Sequence, residues 1–153
     1  MRYILVVAAA VISDRVVKWL VASHMAVYES LPLAGDFFRL TYIRNTGAAF
    51  SMFSKHTWVL ILLTAAMIAA GVLFLVIKIR KGSPAGLLMP VALIVGGGLG
   101  NLIDRICQGY VIDMFDLRGF AVFNVADIYV CLGCALLFIY VIFIMDRKDA
   151  AKQ

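Results

Sequence analysis

Apolar residues fall into four long runs, separated by two polar stretches and one short charged turn. The first run spans residues 3–22, and Asp14, Arg15 and Lys18 interrupt it. The second and third span 58–77 and 85–103, and the fourth spans 124–145. Each comes close to the ~20 residues that a membrane-crossing helix needs. Lys78, Arg80 and Lys81 close the second run, and Gly82-Ser83-Pro84 turns the chain into the third. Between the first two runs the period changes. Phe38, Leu40 and Tyr42 alternate with Arg39, Thr41 and Ile43, which is strand spacing with Ile43 out of phase. Glu29 to Leu33 predicts a short partner strand, and Ala34-Gly35-Asp36 the turn that joins the two. The expectation is an all-α integral membrane protein with four transmembrane helices and a small extracytoplasmic β-sheet between helices 1 and 2. Strand edges cannot face lipid, so the sheet belongs at the interface.

Composition sharpens this picture. The chain is 64% hydrophobic with a mean hydropathy of +1.00, more apolar surface than a soluble domain of 153 residues could hide. The net charge of +5 raises nucleic acid as a partner. The cations, however, sit beside apolar runs and form no basic stripe with interleaved aromatics, so they read as topology signals. Arg2, the Lys78–Lys81 cluster, and Arg147, Lys148 and Lys152 all occupy short segments. That places both termini and the 78–84 turn in the cytoplasm, with the 24–57 and 105–122 loops facing out. Trp19 and Trp58 flank the first outer loop as interfacial anchors would. Cys131 and Cys134 form C-x-x-C inside an apolar run with no second pair, so the cysteines read as small buried apolar residues.

In this topology one outward-facing cluster draws on separate segments: Asp14 and Lys18, Asn45, Asn101 with Asp104 and Arg105, Asp113, and Asp127. Ionisable groups at membrane depth are costly and mark functional sites by default. Each also has a plainer reading. Asp14 and Lys18 are i,i+4 neighbours that can brace helix 1. Asn101, Asp104 and Arg105 share a helix face and suit scaffold duty. Asn124 suits a helix N-cap and Asp127 a first-turn acid. Asp113 alone could be a solvated loop acid. Taken together, two carboxylates can share a proton, activate water and protonate a leaving amide. Other hydrolytic machinery is poorly supplied. H-E-x-x-H and G-x-S-x-G are absent, Ser13 and Lys18 are i,i+5 and point to different faces, and Cys107 has no evident histidine base. Two rivals use the same acids: a proton-coupled transporter or channel subunit relaying through Asp14, Asp113 and Asp127, and a non-catalytic scaffold held by ion pairs. No internal repeat supports transport.

Five blocks carry a family resemblance: D-x-x-x-K (Asp14, Lys18), RNTGAAFS (Arg44 to Ser51), GN-x-x-DR (Gly100 to Arg105), the VID step at Asp113, and FNVAD (Phe123 to Asp127). Their order resembles the lipoprotein signal peptidase (signal peptidase II) family. The resemblance implies a single membrane-embedded peptidase domain over 1–153, acting as an aspartic endopeptidase at the outer face of the bacterial cytoplasmic membrane. Its catalytic aspartates would be Asp113 and Asp127. Asp14, Lys18, Asn45, Gly47, Asn101, Asp104, Arg105, Asn124 and Ala126 would shape the site or contact substrate. The expected partners are lipid-modified prolipoprotein signal peptides and membrane lipids. Nucleic acid, metal and cofactor are not expected, and the protein is expected to be a monomer. The chain departs from the family pattern at three places: Arg15 stands where many members have glutamine, Asp116 to Phe120 is short, and Ile128 replaces a commonly small residue.

Overall fold

The structure is a computed structural model and describes residues 1–47 and 57–145. Four helices form: α1 (Arg2–His24), α2 (Thr57–Arg80), α3 (Ala85–Gln108) and α4 (Val125–Ile139), the last continuing as a π-helical segment, Tyr140–Met145. Three stretches are long and apolar enough to cross a membrane: Thr57–Arg80, Ala85–Gln108 and Val125–Phe143. With 23 residues α1 is of similar length, but Asp14, Arg15 and Lys18 lie within it.

The third helix is the axis of the bundle, packing against each of the other three. Its glycines make this possible, and at Gly96 and Gly97 the approach is so close that a side chain would collide. A Cβ on Gly96 would lie 2.7 Å from Ala10 of α1, and one on Gly97 would strike the Ala126 carbonyl of α4. Gly98 faces Ile68 of α2. Lower down the pair, Gly133 of α4 returns the favour, lying against the Pro90 carbonyl. Small residues at such crossings let backbones approach where lipid offers no hydrophobic drive to association.

Four strands form one antiparallel sheet in the order β1 (Ser30–Ala34), β2 (Phe38–Asn45), β3 (Val111–Leu117), β4 (Ala121–Phe123). The sheet is therefore not confined to the segment between α1 and α2. The second polar stretch, expected to be a loop, supplies half its strands. Its pattern hides this, because Val111, Ile112, Asp113 and Met114 are all buried, so β3 shows no alternation. Gln108 ends α3 later than expected, and left-handed Gly109 (φ 78°) turns the chain into β3. In β2, Phe38, Arg39 and Leu40 pair with Leu117, Asp116 and Phe115, but Ile43 pairs with Asp113. Thr41 and Tyr42 on β2 thus face Met114 alone on β3, which is a β-bulge. The bulge puts Ile43 on the same face as Leu40, and this is why Ile43 breaks the sequence alternation. It also lets Thr41 and Tyr42 be buried in succession. Tyr42 packs with Val21, Ile112 and Met114, joining the sheet to α1.

Candidate active site

A buried charge cluster lies where α1, α3, β3 and α4 meet. Lys18 has no exposed surface, and neither have Asp14 and Asp104. Its Nζ lies 2.8 Å from Asp14 Oδ2 and 2.9 Å from Asp104 Oδ2, and it donates to Asn101 Oδ1 at 3.0 Å. A buried ammonium needs such company, since an isolated one would be far more stable in water. Each acid has a second duty. Asp14 Oδ1 accepts the Ala126 N–H at 2.9 Å, and Asp104 Oδ2 accepts the Ile112 N–H at 3.3 Å. Arg15 Nη1 pairs with the other oxygen of Asp104.

Ala126 precedes Asp127, and Ile112 precedes Asp113. Asp113 is 3% exposed, so the reading of a solvated loop acid is overturned. Its Oδ2 accepts from Asn45 Nδ2 at 2.9 Å and its Oδ1 from Asn124 Nδ2 at 2.7 Å. Burial pushes its carboxyl up to about 6, and the nearby charge of Asp127 adds to the rise. The amides of Asn45 and Asn124 pull the other way. Asp127 is half-buried at the start of α4, and Asn101 Nδ2 donates to its Oδ1 at 2.8 Å.

Asn124 joins the two acids. It is the N-cap of α4: its side chain accepts the Asp127 N–H at 3.0 Å, and Asp127 Oδ2 accepts the Asn124 N–H at 3.2 Å. This is a capping box, which satisfies two otherwise orphaned helix donors. The same amide's Nδ2 is left free to donate to Asp113, and it also reaches Asn101 Oδ1 at 3.1 Å. The structural reading of Asn124 and Asp127 therefore holds alongside their place in the site, because one side chain serves both.

Asn45 is held in turn by Gly47, whose N–H donates to Asn45 Oδ1 at 2.9 Å, while Arg105 Nη2 donates to the Gly47 carbonyl at 3.2 Å. All eleven residues singled out from the sequence thus come together in one connected network. Residues 48–51 of the RNTGAAFS block and His56 lie outside the described residues. An apolar cleft between α2, α3 and α4 opens onto this network. Thr64, Ile68, Val95, Gly98 and Val130 line it together with Asn101, Arg105 and Asp127. Among the described residues, no group of three or more His, Cys, Asp or Glu could hold a metal ion.

Two features differ from the sequence expectations. Cys131 and Cys134 are exposed on the protein surface instead of buried, because α4 turns its Gly133 face to α3 and these cysteines away from it, and Cys107 of α3 is exposed too. Arg15, noted only as a departure from the family pattern, belongs to the buried cluster through Asp104. The signal was available: Arg15 is three residues before Lys18, and i,i+3 neighbours share a helix face. Ser13 is separate from Lys18, as its spacing predicts, and its Oγ meets Tyr129 Oη of α4 at 3.0 Å.

Residues 6–143 match the family described as Signal peptidase (SPase) II. Among curated proteins, the lipoprotein signal peptidase of Halothermothrix orenii is 43% identical over 89% of this chain and 92% of its own. That of Symbiobacterium thermophilum is 39% identical over 99% of this chain and 100% of its own. A bacterial membrane enzyme solved by the in meso method at 2.3 Å superposes with a TM-score of 0.85 at 29% identity, over 99% of this chain and 91% of that one. A second, solved at 1.9 Å, gives 0.81 at 30% identity over 94% of each chain.

Proposed function

The chain belongs to the signal peptidase II family, and from that premise we propose that it removes the signal peptide from diacylglyceryl-modified prolipoproteins, cleaving just before the lipidated cysteine. The proposed chemistry is that of an aspartic endopeptidase with Asp113 and Asp127 as its dyad. The observation that carries this reading is Asn124, whose single side chain binds Asp113 and caps the turn holding Asp127. It keeps two carboxylates at one place while leaving lone pairs on each for water and substrate. A carboxyl held near 6 by burial can carry a proton close to neutral pH, and that proton makes acid–base exchange within a dyad possible.

One carboxylate takes a proton from the attacking water as its oxygen adds to the scissile carbonyl. The other carboxyl gives its proton to the departing amide nitrogen as the C–N bond breaks, and the dyad is left again with one proton. Asn45, Asn101 and Asn124 fix the four carboxylate oxygens by donating to each. The apolar cleft beside Asp127 suits the apolar helix of a signal peptide.

The same reading has α1 as the fourth span, its charges paired inside the bundle, with 1–153 forming one domain of the bacterial cytoplasmic membrane. Both termini and the 78–84 turn face the cytoplasm, and the sheet and site face outward. The enzyme works as a monomer without cofactor or metal. The test is cleavage of a diacylglyceryl-modified precursor peptide by the purified protein in detergent, with Asp113→Asn and Asp127→Asn beside it. Cleavage before the lipidated cysteine is expected from the parent. Losses of roughly 10²-fold or more in turnover are expected from each variant, the scale of general acid–base catalysis. Near-normal turnover by either variant would overturn the dyad and favour the transport reading.

A further inference from the structure

The cluster beneath the dyad has a charge count that Lys18 alone does not balance. Asp14 and Asp104 are both without exposed surface, and between them stands one buried ammonium. The second cation is Arg15, whose side chain is 37% exposed and reaches in to Asp104 Oδ1. Asp104 thereby has its two oxygens assigned. Arg15 holds Oδ1, so Oδ2 is left facing Lys18 and the Ile112 N–H. Ile112 is the residue before Asp113, and Asp104 reaches its N–H from α3, while Gln108 at the end of α3 donates to the Tyr110 carbonyl just before β3.

We propose that Arg15 is a positioning residue for proton transfer, acting through Asp104 and Ile112 to set where Asp113 stands relative to Asp127. The inference rests on those two acids being the dyad. Without Arg15 the cluster keeps one negative charge in excess, and a buried carboxylate that loses its partner is strongly disfavoured. Asp104 relieves that excess by rotating toward solvent through the space Arg15 vacates, which weakens its acceptance of the Ile112 N–H and lets β3 shift against α4. Shifts of about 1 Å in reacting groups can cost ~10²-fold in rate. Arg15 does not line the apolar cleft, and the partner it pairs with, Asp104, does not line it either, so substrate binding should not depend on it.

The experiment measures kcat and KM of the purified full-length protein on the lipidated precursor peptide, with thermal unfolding in the same detergent. Arg15→Gln is expected to lower kcat roughly tenfold, leave KM within about twofold, and leave most of the protein folded. Arg15→Lys, which restores the charge, should recover most of that loss. In an Asp104→Asn background, Arg15→Gln should add little, since the bridge is already broken. If Arg15→Gln alone does not fold, the double variant takes its place, again with kcat lowered and KM intact. An unchanged kcat in Arg15→Gln, a loss expressed mainly in KM, or additive losses in the Asp104→Asn background would each overturn the proposal. Asp113→Asn run alongside separates the two claims. If it is inactive while Arg15→Gln is normal, only the positioning role fails; if it is active, the dyad itself fails.

Discussion

Asp113→Asn should lose activity and change how stability depends on pH. Asp113 is 3% exposed, and burial lifts its carboxyl from 3.8 to about 6. For an acid whose folded value lies above its unfolded one, the stabilising contribution is complete below the unfolded value. It is lost as pH rises through the folded one. Two units at ~1.4 kcal/mol each mean that the wild-type protein loses about 3 kcal/mol from this group between about pH 4 and pH 8. Asparagine cannot ionise and does not carry that loss. It has a cost of its own: Asn45 and Asn124 both donate to Asp113, and the amide NH2 of the variant can accept from neither. One lost or opposed bond costs about 1–3 kcal/mol at every pH. The variant should therefore be the less stable protein near pH 4 and draw level or ahead by about pH 8. Turnover should be roughly 10²-fold lower throughout. Unfolding of both proteins in one detergent, stepped across that pH range, reads the difference. A stability gap that stays constant, or one that widens as pH rises, would refute the account of Asp113 as an acid held protonated by burial.

Asp14→Ala should lower thermal stability and activity together, by about 3–5 kcal/mol in the first case, because it removes one of two acids from Lys18 and leaves the Ala126 N–H without its acceptor. Activity lost at full stability would instead move Asp14 into contact with substrate. Gly97→Ala should cost about 1–3 kcal/mol by driving a methyl into the Ala126 carbonyl, and should impair turnover because that carbonyl adjoins Asp127. Gly98→Ala, whose Cβ would meet only the Ile68 side chain, Cγ1 at 3.2 Å and Cδ1 at 3.5 Å, should be tolerated; equal effects in thermal unfolding would contradict the packing described. A reporter fused after Gln153 should be cytoplasmic and one inserted near Ser30 extracytoplasmic, and finding both on one side would break the four-span topology.

The helices were legible because apolar runs of this length have few alternatives, and β1 and β2 because one face of each is more polar than the other. β3 was not, since both of its faces are covered and an aspartate sits among its buried residues. The bulge in β2 was visible only as Ile43 falling out of phase. The site residues were legible as polar groups in apolar surroundings, and the structure gathers all of them into one network. What spacing could not give was the division of labour among atoms. Nothing in FNVAD tells that one nitrogen of Asn124 reaches β3 while its oxygen caps α4. Nothing in D-x-x-x-K tells that Arg15, between Asp14 and Lys18, pairs with Asp104 of α3.

The ion-paired cluster also bears on the order in which the protein is made. Lys18 and Arg15 leave the ribosome with Asp14 as their only near neighbour of opposite charge, and Asp104 follows after the whole of α2 and most of α3. On insertion scales each such charge near the middle of a helix costs about 2.5–3.5 kcal/mol in lipid. In the proposed four-span topology the first helix is thus the least able to enter the bilayer alone and the one with most to gain from company. Its stable residence there would wait on α3, and the Ala126 and Asp127 end of the network on α4. With the proposed dyad, a chain interrupted during synthesis therefore has no half-working site: proteolytic competence would arrive only with the last helix, which carries Asp127.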